Sequence, residues 1–130
     1  MIAEIAWRSS IKVASVRELD EALDAIAGEI SSELPQAVPI TRANGDCLLI
    51  VLGAKAGSVV SFVAKSGDPP YFTSLGNPTA KGTFTYFVDF DHHSEALARN
   101  VISQTEARRA AREFVSQSPG LPKNIAWTEV

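Results

Sequence analysis

The segment Tyr86-Phe-Val-Asp-Phe-Asp-His-His-Ser-Glu95 gathers both histidines of the chain with Asp89, Asp91 and Glu95, and it holds no positive charge. Histidine beside carboxylate serves three chemistries: a zinc or iron site, a general base with its orienting acid, or a negative surface that receives a basic macromolecule. As metal ligands His92 and His93 meet an obstacle, because adjacent residues of a strand point to opposite faces. A single ion would take one of them and draw its other ligands from distant Asp or Glu residues. As a catalytic pair, either histidine with Asp89, Asp91 or Glu95 could move a proton. Ser94, however, sits in no Gly-x-Ser-x-Gly elbow that would make it a nucleophile. Charge presentation needs only what the segment already has. Its acids are mixed with Tyr86, Phe87 and Phe90, and an aromatic anchor inside a polar rim is the make-up of an interface centre. Tyr71 and Phe72, just after Asp68-Pro-Pro70, offer a second patch of the same kind. Ordinary sheet packing is the competing account of every one of these aromatics.

The rest of the chain narrows the choice. Net charge is −3 with a pI near 5.3, so nucleic acid is not expected as a direct ligand, since that demands basic patches. A basic protein partner suits the chain better. The longest apolar run, Cys47-Leu-Leu-Ile-Val-Leu52, falls far below the roughly 20 residues that cross a bilayer, and no membrane association is expected. The N-terminus carries an acid at Glu4 and lacks the basic start and apolar stretch of a secretory signal, so a cytoplasmic location is expected. Cys47 is the single cysteine and reads as a buried, reduced thiol. Gly53-Ala-Lys-Ala-Gly57 matches no phosphate-binding loop and reads as a hairpin turn. No cofactor is expected.

The elements that must position these residues have two periods. Ser15-Val-Arg-Glu18 and Ser103-Gln-Thr-Glu106 both fit the capping box that opens a helix. After the first, Val16, Leu19, Leu23, Ile26 and Ile30 recur at helical spacing, with Pro35 ending the run near residue 34. After the second, Ala107, Ala110, Ala111, Phe114 and Val115 do the same, with Ser118-Pro-Gly120 as the stop. Helix 1 carries Glu18, Asp20, Glu21, Asp24, Glu29 and Glu33 against Arg17, which reads first as a solvated outer face. Between the helices, short β-branched and aromatic runs at 38–41, 47–52, 59–63, 71–75 and 84–90 are separated by turn signals such as Asn44-Gly45 and Gly76-Asn-Pro78. Connections this short favour antiparallel neighbours. A last run with Ile125 and Trp127 rejoins the sheet. At 130 residues the chain fits one domain. The expected class is α+β: a meandering antiparallel β-sheet with an N-terminal and a C-terminal helix packed on one face.

In that order, "SVRELDEALDAI", the strand meander, "YFTSLGNPTAKGTFTYF" and "ISQTEARRAAREFVSQSPGLPKNIAWTEV" resemble immunity protein family 1 of bacterial polymorphic toxin systems. The stretch "SLGNPTAKGT" and the closing Pro122…Trp127-Thr-Glu129 are also similar to immunity proteins that guard against secreted DNA-deaminase toxins. The resemblance implies a non-enzymatic antitoxin that covers the active-site mouth of a cognate toxin domain, with a deaminase preferred over a nuclease. It hands over no catalytic residue. The interface expected from the residues themselves comprises Asp89, Asp91, Glu95, Tyr86, Phe90, Tyr71, Asp68 and His92. The competing function is a small metal-dependent enzyme using His92 or His93.

Overall fold

Ala3, Ile5 and Trp7 alternate with Glu4, Ala6 and Arg8. In the computed structural model, which describes residues 2–116 and 120–130, that alternation makes a strand, β1 (Ala3–Trp7), with its apolar residues buried. It pairs antiparallel with β2 (Ser9–Val13), the two joined by Arg8 alone at φ 60. This hairpin precedes α1 (Val16–Glu29). The Glu18 N–H donates to the Ser15 hydroxyl, while the Glu18 carboxylate reaches past Ser15 to accept from the Ala14 N–H. Leu19, Leu23 and Ile26 are buried. The helix ends at Glu29, short of the expected residue 34. Gly28 weakens its last turn, Ile30 goes extended, and Ser31 takes up a local turn in which its hydroxyl accepts from the Glu33 N–H.

The chain then meanders through β3 (Gln36–Arg42), β4 (Cys47–Leu52), β5 (Val60–Val63) and β6 (Phe72–Ser74). The closing strand, β9 (Trp127–Glu129), pairs with β6. The main sheet runs β2-β1-β3-β4-β5-β6-β9. Residues of alternating parity divide its faces. Val38, Ile40, Leu48, Ile50, Leu52, Val60 and Phe62 join the large core under both helices. Ala37, Val51 and Val59 look to the back and form a second, smaller core. A hairpin of β7 (Thr83–Val88) and β8 (His92–Leu97) covers that back face through Phe84, Tyr86, Val88 and Ala96. It joins β3 by a single parallel pairing, Gln36 with Phe87.

The second helix, α2 (Gln104–Ser116), opens with the full capping box and buries the five predicted positions. Its proposed stop at Ser118 and Pro119 lies outside the described residues. Arg42, reaching from β3, donates to the Phe114 and Gly120 carbonyls at 3.0 and 2.9 Å and pairs with Asp46 at 2.6 Å. It thereby ties the sheet to a carbonyl in the last turn of α2 that the helix itself cannot satisfy, and to Gly120 beyond the helix. Gly76, in the family-like "SLGNP" turn, donates its N–H to the Arg99 carbonyl, and a Cβ there would collide with the Val101 carbonyl oxygen. Trp127 donates its ring N–H to the Pro122 carbonyl at 2.6 Å.

The architecture is thus α+β, with nine strands and two α-helices among the described residues. One expectation needs correction: the helices are interior segments, 16–29 and 104–116, because a hairpin precedes the first and a strand follows the second. The antiparallel meander holds from β3 to β6. The run read as one strand from 84 to 90 stops at Val88 and turns back into β8, so the histidines lie on a strand of their own.

Candidate functional site

Pro39 decides where the surface opens. The Arg42 N–H donates to Asp46 on the β4 side, so strand alternation aims residue 39 toward β1, and proline has no N–H to give there. The β1–β3 ladder accordingly stops at the Ile5–Ile40 pair, whereas the β3–β4 ladder continues through Pro39 to Gln36. Ala6 and Trp7 of β1, which pair with β2 but not with β3, and the C-terminal end of β7 meet beside β3 across this gap. A groove of about 330 Å³ remains between them, bounded by Trp7, Arg8, Pro39, Val88, Asp89 and Phe90.

The hairpin tip over this groove is strained. Asp89 and Phe90 have φ 50 and 73, tolerable for aspartate but unfavourable for a bulky aromatic. Such a residue costs of order 1–3 kcal/mol. The buried Gln36 holds it in place: its carboxamide oxygen accepts from the Phe90 N–H at 3.1 Å and its amide donates to the Phe90 carbonyl at 3.2 Å. The Phe90 ring lies 4.9 Å from that of Trp7, and the Arg8 guanidinium sits over both rings at 5.1 and 5.7 Å. Glu29 at the end of α1 accepts from the Trp7 ring N–H at 2.8 Å and pairs with Arg8 at 3.5 Å. Three elements therefore fix one aromatic and cationic stack.

The expected interface residues do not form one patch. Asp89, Phe90, Asp91 and His92 come together at the tip. Glu95 lies further along β8 on the outward side, in register with Thr85. Tyr86 points to the second core, 6.3 Å from Phe84, and with Glu95, Leu97 and Arg99 it borders a separate groove of about 280 Å³. Phe87, not Tyr86, shares the outer face with His93, their rings edge to face at 5.8 Å. Tyr71 and Asp68 stand elsewhere. Tyr71 precedes the Phe72–Phe62 pair and Cys47 pairs with Val63, which puts them at the end of β4 and β5 opposite to Gln36. Tyr71 donates its hydroxyl to the Gly67 carbonyl.

Charge separates the acidic regions. On α1, Asp20 and Asp24 are met by Arg112 and Arg108 of α2 at 3.0 and 2.8 Å, and Glu21 by Arg17 at 2.9 Å. Among the described residues Asp89, Asp91 and Glu95 have no lysine or arginine within pairing distance; their nearest cation formers are His92, 3.8 Å from Asp91, and His93, 3.9 Å from Glu95. The two histidines point to opposite faces of β8, and among the described residues no three His, Cys, Asp or Glu side chains converge as a metal site. Burial pushes the Cys47 thiol up, only partly offset by hydrogen bonds from Thr41 and the Ile40 backbone, so it is no ready nucleophile. Among the described residues no helix is long and apolar enough to cross a membrane.

Trp7, Arg8 and Gln36 belong to the site although no local motif marks them. The alternation of Ala3, Ile5 and Trp7 was readable, but the turn after it has no Gly, Asn or Pro to announce a hairpin. Compared with known proteins, residues 8–129 match the family model described as immunity protein Imm1. No curated protein matches the chain.

Proposed function

From the premise that this chain belongs to the immunity protein Imm1 family, we propose that it acts in the cytoplasm of the producing cell by docking its β7–β8 hairpin on the catalytic domain of its toxin. Membership makes it an immunity protein of a polymorphic toxin system, a non-enzymatic inhibitor whose partner is a cognate toxin. The reading of His92 or His93 as the centre of a metal-dependent enzyme gives way to that membership.

The observation that carries the choice of surface is the unbalanced charge. Among the described residues, exposed Asp89, Asp91 and Glu95 lack arginine partners such as those that meet Asp20 and Asp24 of α1. Free carboxylates on a projecting hairpin speed encounter with a basic surface and fix its register. A toxin that acts on nucleic acid presents a basic cleft, and these acids suit the places its phosphates would take. Phe90 supplies apolar contact and His92 flanks it. Tyr86 contributes from the groove beside Glu95, while Asp68 and Tyr71 make a separate contact at the far end of the sheet. The preferred toxin is a cytosine deaminase of nucleic acid rather than a nuclease. That preference rests on the likeness of Ser74–Thr83 and of Pro122 with Trp127–Glu129, which are scaffold residues here, to the guards of such toxins.

The test is growth of cells expressing the toxin domain encoded beside this chain, with and without it, followed by co-purification. Rescue with a stable complex, and base changes in the DNA of unprotected survivors, are expected. Toxicity without rescue, or rescue without a complex, would overturn inhibition by direct binding.

A further inference from the structure

Charge alone leaves the most unusual backbone of the molecule unexplained. Arg8, Asp89 and Phe90 are the non-glycine residues with positive φ among the described residues, and they meet at one place. A turn of this kind forms without strain on glycine or asparagine. Position 90 instead holds phenylalanine with 43% of its surface exposed. Burial against Trp7 therefore accounts for only part of the ring. Gln36, itself 4% exposed, holds both Phe90 peptide groups with its carboxamide, whose amide also donates to the Leu34 carbonyl. Leu34, 46% exposed, lines a second pocket of about 190 Å³ together with Trp7 and Phe90. A strained, half-exposed aromatic held by a buried partner points to recognition.

Resting on the toxin-binding reading above, we infer that the Trp7–Arg8–Phe90 stack is the anchor of the interface, and that the groove beside it receives one apolar side chain of the toxin flanked by a basic residue. The walls of the groove, Trp7, Pro39, Val88 and Phe90, are apolar, and Asp89 stands at the rim. Arg8 is held by Glu29, while among the described residues Asp89 and Asp91 have no lysine or arginine partner, Asp91 having only the His92 imidazole at 3.8 Å, so the local field favours a basic occupant and repels an acidic one. Tryptophan and arginine are the residue types that most often dominate binding energy. Because Gln36 and Glu29 already hold the stack, little order is lost on docking, which lengthens the life of the complex.

The test measures association and dissociation of the purified full chain with the toxin domain encoded beside it. Phe90→Gly deletes the ring and relieves the backbone, so its melting temperature is expected to equal or exceed that of the wild type. Its dissociation is expected to quicken about thirtyfold or more, the scale of a dominant contact. Arg8→Ala is the second variant, expected to dissociate about tenfold faster. Wild-type binding with both variants unchanged would overturn the anchor and leave the toxin-binding reading standing. A wild-type chain that binds no toxin would overturn that reading and the anchor with it. A wild-type dimer that Phe90→Gly turns into a monomer would reassign the stack to a second copy of this chain and overturn the inference.

Discussion

Two arginines of this chain stack on aromatic rings and reach a carboxylate, one inside the fold and one on its surface. Arg42 lies 4.3 Å from the centre of the Phe114 ring and pairs with Asp46, the two side chains being 6% and 12% exposed. Arg8 lies 5.1 Å from the centre of the Phe90 ring and pairs with Glu29, at 62% and 48% exposed. Every nitrogen that Arg42 offers is spent on the fold: the Phe114 carbonyl of α2, the Gly120 carbonyl beyond it, Asp46 and Asn44. Arg8 keeps most of its guanidinium in water. Similar contacts thus serve a scaffold where they are buried and leave a recognition surface where they are not, because solvent decides how much each is worth.

The sharpest way to break this comparison is to remove Arg42. Arg42→Ala leaves Asp46 buried without its partner, and urea unfolding should show a loss of about 3–5 kcal/mol. A loss no larger than that of a surface pair would put the clasp between β3 and α2 in doubt. Asp46→Asn should cost less, about 1–3 kcal/mol at neutral pH, and it adds a sign. Burial pushes the Asp46 carboxyl up, but hydrogen bonds from Arg42, the Lys65 N–H and Asn44, with the Arg42 charge, outweigh it and hold the group below its ordinary value of 3.8. A depressed carboxylate stabilises the fold fully above that ordinary value, and the contribution is lost as pH falls through the folded one. The wild-type urea midpoint should therefore fall more steeply below pH about 4 than that of Asp46→Asn. Equal slopes would mean that the pair does not titrate with folding.

On the exposed side the expected stability effects shrink while binding effects appear. Arg8→Ala should change unfolding free energy by no more than about 1 kcal/mol, and a loss approaching that of Arg42→Ala would make Arg8 a structural residue. Replacing Asp89 with asparagine, which tolerates its positive φ, together with Asp91 and Glu95 with alanine should leave stability within about 0.5 kcal/mol. It should also slow toxin association and flatten its dependence on salt. An unchanged association rate across a salt series would remove charge from the account.

Why one arginine's setting was legible and the other's was not follows from the residues. Both capping boxes, the apolar stripes of α1 and α2, and the strands β3 to β6 show in the sequence because each depends on neighbours within a few positions. The N-terminal hairpin escaped notice because a single arginine at positive φ makes its turn. The β7–β8 turn was hidden for the same reason, with Asp-Phe in place of Asn-Gly. At the candidate site the acids of the tip and Phe90 were visible as composition. Trp7, Gln36 and the Pro39 gap were not, since they act on residues distant in the sequence through the order of strands in the sheet. Tyr86 illustrates the converse: its type suggested an exposed anchor, and strand parity turned it inward.

The central claim is that the hairpin tip with the end of β1 faces the toxin, and hydrogen exchange of the complex tests it most directly. Bound to its toxin domain, the chain should gain protection at the amides of Arg8 and Ser9 and from Asp89 to His92, with α1 and α2 exchanging as in the free protein. Protection confined to the helices, around Lys55, Arg108 and Arg112, with the tip unchanged, would contradict the account.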